Sequence, residues 1–368
     1  MMNRREFSIG TGALGAALAT ASFGSRAQGL RTIRVANGAG VIDAQQCVFT
    51  CGLSPKLGYY RTEGVDLELL NMSNVSQTMQ SIVTGETMIA PLVPSLFLPA
   101  LSKNPGLDIV AVYNWLPQNA NTVAVLPGSP AKSITDLKGK KIGIRNAGDY
   151  GVYVVRSMFR ELGADDSTIE FISVGDGGTA GVALQQGRVD AIASYDTAAA
   201  RIEMVGIPLR YLPLTPGFAK LSSSYIGVSQ KTLKEERKAL VGLFRGMAKS
   251  MVFAHTNVEE AIKLHWSVFP ESKSKTKSDA EALMEVKLLL RDRKDHWMRR
   301  PDDPEKRIGA IADSDMKAQI ALAAETSNDP QLVSKLGDVS KIYSNLLIDD
   351  VNAFDRAAIV KQALAFKS

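Results

Sequence analysis

The sequence is poor in the residues on which metal binding and acid–base catalysis most often depend. Its 368 residues include only two cysteines and three histidines. The cysteines, Cys47 and Cys51, have no further metal ligand close by in the sequence, so a metal site is not indicated. In an oxidising compartment these two could form a disulfide, and two buried thiols on one helical face fit the spacing at least as well.

The sequence also lacks a strong charge of one sign. It contains 43 basic and 38 acidic residues, a formal net charge of +5. Such a mixed surface does not indicate nucleic-acid binding. The densest basic stretch, residues 291–300, includes acidic residues and is typical of a solvated helix face, so we assign it no function.

Long hydrophobic runs are absent beyond the N-terminal segment. A membrane-spanning helix needs about 20 apolar residues, and the apolar run around residues 89–101 is interrupted by Pro91, Pro94 and Pro99. The composition, 45% hydrophobic and 22% charged, is ordinary for a soluble globular chain. We therefore expect a compact mature protein without a membrane span.

The N-terminus has the order of features found in a secretory signal. Arg4 and Arg5 stand directly before Glu-Phe, a mildly apolar stretch covers residues 9–23, and Ser-Arg-Ala ends at Ala27. Paired arginines and weak hydrophobicity resemble the twin-arginine export signal. We predict that residues 1–27 are a signal peptide cleaved near Ala27 and that the mature protein is periplasmic.

Short strands alternate with helices along two stretches of the chain, which is typical of βαβ units in open, doubly wound sheets. The sequence therefore predicts an α/β protein with two lobes: residues 28–120 plus 225–368, and residues 121–224. Residues 118–121 and 221–224 would be the hinge. From residue 231 the pattern is helical, and we expect this extension to pack on the first lobe and to carry no chemistry. The predicted strands are 32–36, 65–70, 88–92, 107–113, 122–125, 141–144, 169–173, 191–194, 209–212 and 224–228, with helices at 44–57, from 76, and near 150, 179 and 197.

Several segments resemble one group of periplasmic binding proteins, those for sulfonates, nitrate and thiamine precursors. The resembling segments are Lys56–Leu69, Ile82–Ala90, Ser133–Ile144 and Leu184–Asp196. The resemblance covers about residues 31–230. It implies the type II periplasmic-binding-protein clamp, with two lobes that close on a ligand.

The resemblance also implies a function. We expect a monomeric solute-binding protein of an ABC-type importer that needs no cofactor and catalyses nothing. It would pass a small organic acid, a sulfonate or an aromatic or aliphatic carboxylate, to a membrane permease. A sensor module that reports to a membrane protein would use the same clamp. A related enzyme class makes the thiamine pyrimidine from its own histidine and pyridoxal phosphate, but His255, His265 and His296 all lie in the helical extension, which argues against histidine chemistry in the cleft.

The second lobe supplies the most specific candidate site. Residues 145–151 join a strand to a helix, where free backbone N–H groups and the helix dipole favour an anion. Asp149 within this loop could repel an anion or simply cap the helix. Tyr195 follows a strand and either faces the ligand or packs in the core, and Asp196 either faces the ligand or caps the next helix. The predicted ligand-binding residues of this lobe are Asn146, Gly148, Tyr150, Gly151, Asp176, Tyr195 and Asp196.

Strand ends of the first lobe offer small polar groups to the same cleft. Trp115 could stack on a flat solute or pack in the core. The predicted ligand-binding residues of the first lobe are Asn37, Ser73, Asn74, Ser95 and Trp115.

In the second lobe, the glycine cluster around Asp176 lacks the Lys-Ser/Thr of a nucleotide-binding loop, so nucleotide binding is rejected.

Overall fold

A computed structural model describes residues 29–38, 42–72, 75–146, 149–327, 329 and 331–368. The predicted signal peptide and the predicted site residues Ser73, Asn74 and Gly148 lie outside the described residues. The strands are β1 Arg31–Asn37, β2 Val65–Asn71, β3 Ala90–Leu92, β4 Val110–Leu116, β5 Asn121–Val125, β6 Lys141–Ile144, β7 Glu170–Ser173, β8 Ala191–Tyr195, β9 Arg210–Tyr211 and β10 Ser224–Val228.

Helices fill most of the sequence between the strands and most of the extension. The helices are α1 Cys47–Thr50, α2 Tyr59–Thr62, α3 Val75–Thr84, α4 Pro94–Lys103, α5 Tyr150–Glu161, α6 Gly178–Gln185, α7 Asp196–Met204, α8 Gln230–Glu235, α9 Arg237–Thr256, α10 Val258–Val268, α11 Asp279–Leu289, α12 Arg293–His296, α13 Asp313–Thr326, α14 Leu332–Leu336, α15 Ile348–Val351 and α16 Arg356–Ala365. Short 3₁₀ turns cover Ala44–Gln46, Cys51–Leu53, Ile134–Leu137, Phe218–Lys220, Pro270–Ser272 and Val339–Lys341.

The strands form two groups, which confirms the two-lobed α/β fold. In the first lobe β1 pairs with β2 in parallel, and β10 lies between β3 and β4. In the second lobe the order is β7-β6-β8-β5-β9. The first lobe thus has a parallel pair and a three-stranded antiparallel sheet, and the five-stranded sheet of the second lobe is mixed. β10 and β5, the strands that follow the predicted crossings, run antiparallel to their neighbours. The predicted lobe boundaries and hinge stay predictions.

Each face of the second lobe's sheet is covered by a separate apolar core. Ala191 and Ala193 of β8 face one core, and Ile192 between them faces the other. This alternation follows from the pleat of a strand that is buried on both sides. On β6, a Cβ added to Gly143 would stand 2.5 Å from Cδ1 of Ile192, so only glycine allows this close approach.

The predicted helix over residues 44–57 is broken into short turns, since α1 covers only Cys47–Thr50 between two 3₁₀ segments. Cys47 and Cys51 are buried with free thiols. Burial raises the pKa of both, that of Cys51 to about 12. The structure therefore agrees with the buried-thiol alternative.

The helical extension packs on the first lobe, as expected. The ring of Phe244 in α9 stacks on Tyr113 of β4, with centroids 4.9 Å apart. The extension also pairs with the exposed edge of β4, where the Asn114 N–H donates to the Gly309 carbonyl at 2.7 Å. Covering an edge strand in this way protects its free backbone groups.

The extension also reaches the second lobe, which corrects the expectation that it serves the first lobe alone. Arg291 lies 3.1 Å from Glu203 of α7. Leu322 of α13 packs against the second lobe's core. Among the helices of the described segments, none is long and apolar enough to cross a membrane.

Candidate functional site

Asparagine side chains meet where β1 and β2 end. The parallel register places Asn37 beside Asn71, and the Asn37 amide donates to Oδ1 of Asn71 at 2.8 Å. Gln46, which the sequence did not single out, donates to Oδ1 of Asn37 at 3.4 Å. The predicted site residue Asn37 thus belongs to a cluster of amides at the carboxyl end of the first lobe's strands.

The β6–α5 junction is held by Asp149. Its Oδ1 accepts a hydrogen bond from the Gly151 N–H at 2.8 Å, and its Oδ2 lies 3.3 Å from Nε of Arg145. Asp149 is thus the N-cap of α5, which is one of its two predicted roles. Asn146 and Arg145 are exposed at this junction.

The two predicted residues that begin α5 are positioned by packing. A Cβ on Gly151 would stand 2.7 Å from the Ala193 carbonyl oxygen, so glycine lets α5 approach β8. Tyr150 stacks on Tyr153 with ring centroids 4.9 Å apart. Burial and the charge of Asp315 raise the pKa of Tyr150, so its phenol stays protonated at neutral pH.

Tyr195 and Asp176 are brought together as predicted site neighbours. The Tyr195 hydroxyl donates to Oδ2 of Asp176 at 2.9 Å. Burial and this carboxylate raise the pKa of Tyr195 to about 12, against the opposing charges of Arg201 and Arg145. The second lobe therefore places the neutral phenol of Tyr195 and the Asp176 carboxylate near the guanidinium groups of Arg201 and Arg145, and Arg145 is itself paired with Asp149.

Two contacts join the lobes beside this cluster. Nη2 of Arg201 in α7 lies 3.2 Å from Oδ2 of Asp43 in the first lobe. Thr197 also donates to Oε1 of Gln45 at 3.5 Å. Asp43 is at the same time the cap of the 3₁₀ turn at Ala44–Gln46.

Sequence reasoning missed Arg201, Asp43 and Gln45. A signal for Arg201 was present, because it stands four residues after Thr197 and therefore on the same helix face. Asp43 and Gln45 carried no comparable signal, since their partners come from the other lobe.

Asp196 has a different environment from the one predicted. Its carboxylate receives a hydrogen bond from Nε of Arg293 at 2.9 Å, a second, shorter one from Nη2 of the same residue, and lies 2.7 Å from Nδ1 of His296. It also accepts from the N–H of the next residue, Thr197, at 2.7 Å. The capping alternative is wrong, because Asp196 is itself the first residue of α7 and Tyr195 is the N-cap. Asp196 is only 4% exposed. Its carboxylate bonds to the extension and to its own helix.

The charge of Asp196 is maintained by these partners. Burial alone disfavours a carboxylate, but the charge of Arg293 and the hydrogen bonds from His296 and Arg293 outweigh burial and lower the pKa of Asp196 to about 2. This finding corrects two expectations: residues 291–300 are not merely a solvated helix face, and His296 contacts the second lobe.

Trp115 and Ser95 are the remaining predicted site residues of the first lobe that the structure describes. The Trp115 indole donates to Oγ of Ser224 at 2.9 Å, and its ring lies 5.1 Å from that of Phe49. These contacts agree with the packing alternative for Trp115. Ser95 is half-buried near the start of α4.

Known structures share this architecture. The periplasmic aliphatic sulphonate binding protein SsuA from Escherichia coli superposes with a TM-score of 0.63 at 16% identity, covering 85% of this chain and 92% of that one. The alkanesulfonate-binding protein SsuA from Xanthomonas axonopodis pv. citri, bound to MOPS, gives 0.56 at 16% identity, covering 87% and 97%. The periplasmic nitrate-binding protein NrtA from Synechocystis PCC 6803 gives 0.57 at 12% identity, covering 92% and 99%.

These likenesses establish the periplasmic-binding-protein fold. The sequence has no significant match among curated proteins. Residues 53–261, more than half of the chain, match the sequence model of one family. On that match, the chain belongs to the NMT1/THI5-like family.

Proposed function

We propose that this protein is the extracytoplasmic solute-binding component of an ABC-type importer, and that it captures a small organic acid between its two lobes. The observation that carries the proposal is the set of polar groups that meet across the cleft, above all Arg201 of the second lobe and Asp43 of the first. Both side chains are partly exposed, at 29% and 26%, so a ligand can exchange for this contact.

The preference for an acid rests on local charge. The positive charges of Arg201 and Arg145 both act to lower the pKa of Tyr195. A guanidinium group binds a carboxylate or sulfonate with paired hydrogen bonds. In the structure, Asp43 is the ionic partner of Arg201. An anionic ligand would replace that carboxylate as the partner of Arg201.

The mechanism that we propose is closure about the two crossings between the lobes. A ligand held by one lobe gains contacts from the other only in the closed form, so binding shifts the population towards closure. The permease would then recognise the closed shape. The protein would act as a monomer after export through its N-terminal signal and cleavage near Ala27, and it would need no cofactor.

A thermal-shift screen tests the proposal. The mature chain from residue 28 is heated with small sulfonates, aliphatic and aromatic carboxylates, nitrate and neutral pyrimidines. We expect at least one organic acid to stabilise the protein, by about 2.7 kcal/mol at 100 times its dissociation constant. The proposal fails if no acid stabilises the protein. It fails equally if a compound in the screen is converted to product.

A further inference from the structure

Within the described residues, the chain passes between the sheets of the two lobes twice. Residues 117–120 connect β4 of the first lobe to β5 of the second, and residues 212–223 connect β9 of the second lobe to β10 of the first. We name these segments the first and second crossings. They are in contact, since the Ala120 N–H donates to Oγ of Ser223 at 2.7 Å. Closure of the lobes must turn the backbone here.

The extension is bonded to the first crossing through one side chain. Nε2 of Gln118 donates to the Asp295 carbonyl at 2.9 Å and to the Met298 carbonyl at 2.7 Å. Asp295 belongs to α12, and Met298 follows that helix by two residues. Gln118 therefore connects the first crossing to two backbone groups of the extension.

The start of α7 is connected to the same two segments. The Asp196 N–H donates to the Ala120 carbonyl of the first crossing at 2.8 Å, and the Asp196 carboxylate is paired with Arg293 of the extension. Both side chains of this pair are buried, and a buried ion pair is costly to separate. We therefore expect α7, the first crossing and α12 to keep their relative positions.

The extension also holds the second crossing, through α13. The Ser222 N–H donates to Oδ1 of Asp315 at 3.0 Å, and the Ser222 carbonyl accepts from Nε2 of Gln319 at 2.7 Å. Asp315 and Gln319 are four residues apart and therefore lie on one face of the helix. Because Ser222 is 4% exposed and Gln319 is fully buried, water cannot readily replace these bonds.

These contacts restrict the rotation that opens the cleft. A hinge absorbs its motion as changes in φ and ψ at a few residues. At Ser222 such a change turns the N–H relative to the carbonyl, and both groups are bonded to α13. The same structure has the contact across the cleft between Arg201 and Asp43, at 3.2 Å. The extension therefore makes its contacts in an arrangement in which the two lobes touch.

We propose that the extension is a brace on the hinge, which holds the ligand-free lobes close to the closed arrangement. This inference rests on the lobe closure of the proposed function. Opening would break bonds at Gln118, Ser222 or Asp196, so the extension raises the free energy of the open form. If more of the free protein is already closed, the apparent affinity for a ligand rises in proportion.

The distance between two spin labels, one on each lobe, measures the brace in the ligand-free protein. The labels are attached through Glu86→Cys in the first lobe and Arg188→Cys in the second, both at exposed positions. The native thiols of Cys47 and Cys51 are buried, and a sample without the introduced cysteines checks that they stay unlabelled. Pulsed electron–electron double resonance then gives the distribution of distances between the lobes.

The test variant is Gln118→Met/Gln319→Met, which removes one extension contact from each crossing and keeps the side-chain length. Oε1 of Gln319 has no partner within the described part of the chain, so methionine at this position loses only the bond to Ser222. The control is Gln362→Met in α16. It removes the bond that the Tyr59 hydroxyl donates to the extension at 2.8 Å, which involves neither crossing.

We expect one narrow distribution for the labelled protein without further change and for Gln362→Met. The double variant should give a distribution at least twice as broad, with an unchanged near-ultraviolet circular dichroism spectrum. If the double variant does not fold, Gln118→Met alone, at a half-buried position, should give a smaller broadening in the same direction.

The proposal is overturned if the folded test variant is as narrow as the unchanged protein, or if Gln362→Met broadens the distribution equally. Because the distances are measured without ligand, this result does not depend on whether any organic acid binds. Failure of the brace is therefore distinct from failure of the proposed function.

Discussion

Two arginine–aspartate pairs connect the second lobe to the rest of the molecule, and they differ in burial. The Arg201–Asp43 pair crosses the cleft with both side chains partly exposed, at 29% and 26%. The Arg293–Asp196 pair joins α7 to the extension with exposures of 8% and 3%. An exposed pair contributes about 0–1 kcal/mol, whereas loss of one partner from a buried pair costs about 3–5 kcal/mol. We infer that the first pair can exchange with ligand and that the second holds the extension in place.

The largest expected effect comes from Arg293→Met. This variant leaves the Asp196 carboxylate buried without its main counter-charge, and we expect the free energy of unfolding to fall by about 3–5 kcal/mol. Urea denaturation measures the change. Lys294→Met, the neighbouring partly exposed lysine, should change stability by less than about 0.5 kcal/mol. Equal losses in the two variants would show that the buried pair has no special role.

The next effect concerns pH. Because the pKa of Asp196 is lowered to about 2 in the folded protein and is about 3.9 in an unfolded chain, its charge stabilises the fold above pH 4. That contribution, about 2–3 kcal/mol, is lost as the pH falls from about 4 through 2.

A comparison of wild type with Asp196→Asn isolates this contribution, since other carboxylates titrate in both proteins. We expect the difference in free energy of unfolding to be largest near pH 6 and to shrink steadily below pH 4. A difference that stays constant between pH 6 and pH 2 would exclude an ionised Asp196 as the source.

A smaller effect on stability, but a clear one on binding, is expected for Arg201→Gln. Stability should change by less than about 1 kcal/mol, while affinity for an organic acid found in the screen should fall about tenfold, equal to about 1.4 kcal/mol. Calorimetric titration measures the affinity. Arg188→Gln makes the same charge change at an exposed position before β8 and should bind normally. Equal affinity in both variants would remove Arg201 from the site.

The smallest effect is expected for Tyr195→Phe, which removes one hydrogen bond to Asp176 and keeps the ring. We expect a loss of about 1 kcal/mol in the free energy of unfolding, measured by thermal denaturation. A matched change, Tyr153→Phe in α5, removes a buried phenol that has no hydrogen-bond partner among the described residues and should not lower stability. If Tyr195→Phe is as stable as wild type, the Tyr195–Asp176 bond contributes nothing.

Local patterns account for the parts of the fold that the sequence could predict. Strands such as β1, β6 and β8 were predicted closely because their apolar runs and bounding glycines are local signals. Asp149 as a helix cap followed from its position between a strand and a helix. Tyr195 and Asp176 were each assigned to the cleft from positions at strand ends, but their hydrogen bond to each other was not predicted. The short turns at residues 44–57 were missed, since apolar spacing alone does not separate one long helix from several short ones.

Contacts between distant segments could not be predicted in this way. Asp196 and Arg293 are 97 residues apart, and Arg201 and Asp43 are 158 apart. Neither pair leaves a pattern in one sequence, because a charged residue on a helix looks the same whether its partner is water or a distant carboxylate. The stretch 291–300 was assigned to solvent for this reason.

Isothermal titration of the mature wild-type chain with the organic acid that stabilises it most is the most direct test of the binding account. We predict one saturable site in the cleft per chain, with heat that is weakened in Arg201→Gln and retained in Arg188→Gln. Absence of saturable heat with every sulfonate and carboxylate, or heat from steady turnover of the added compound, would contradict it.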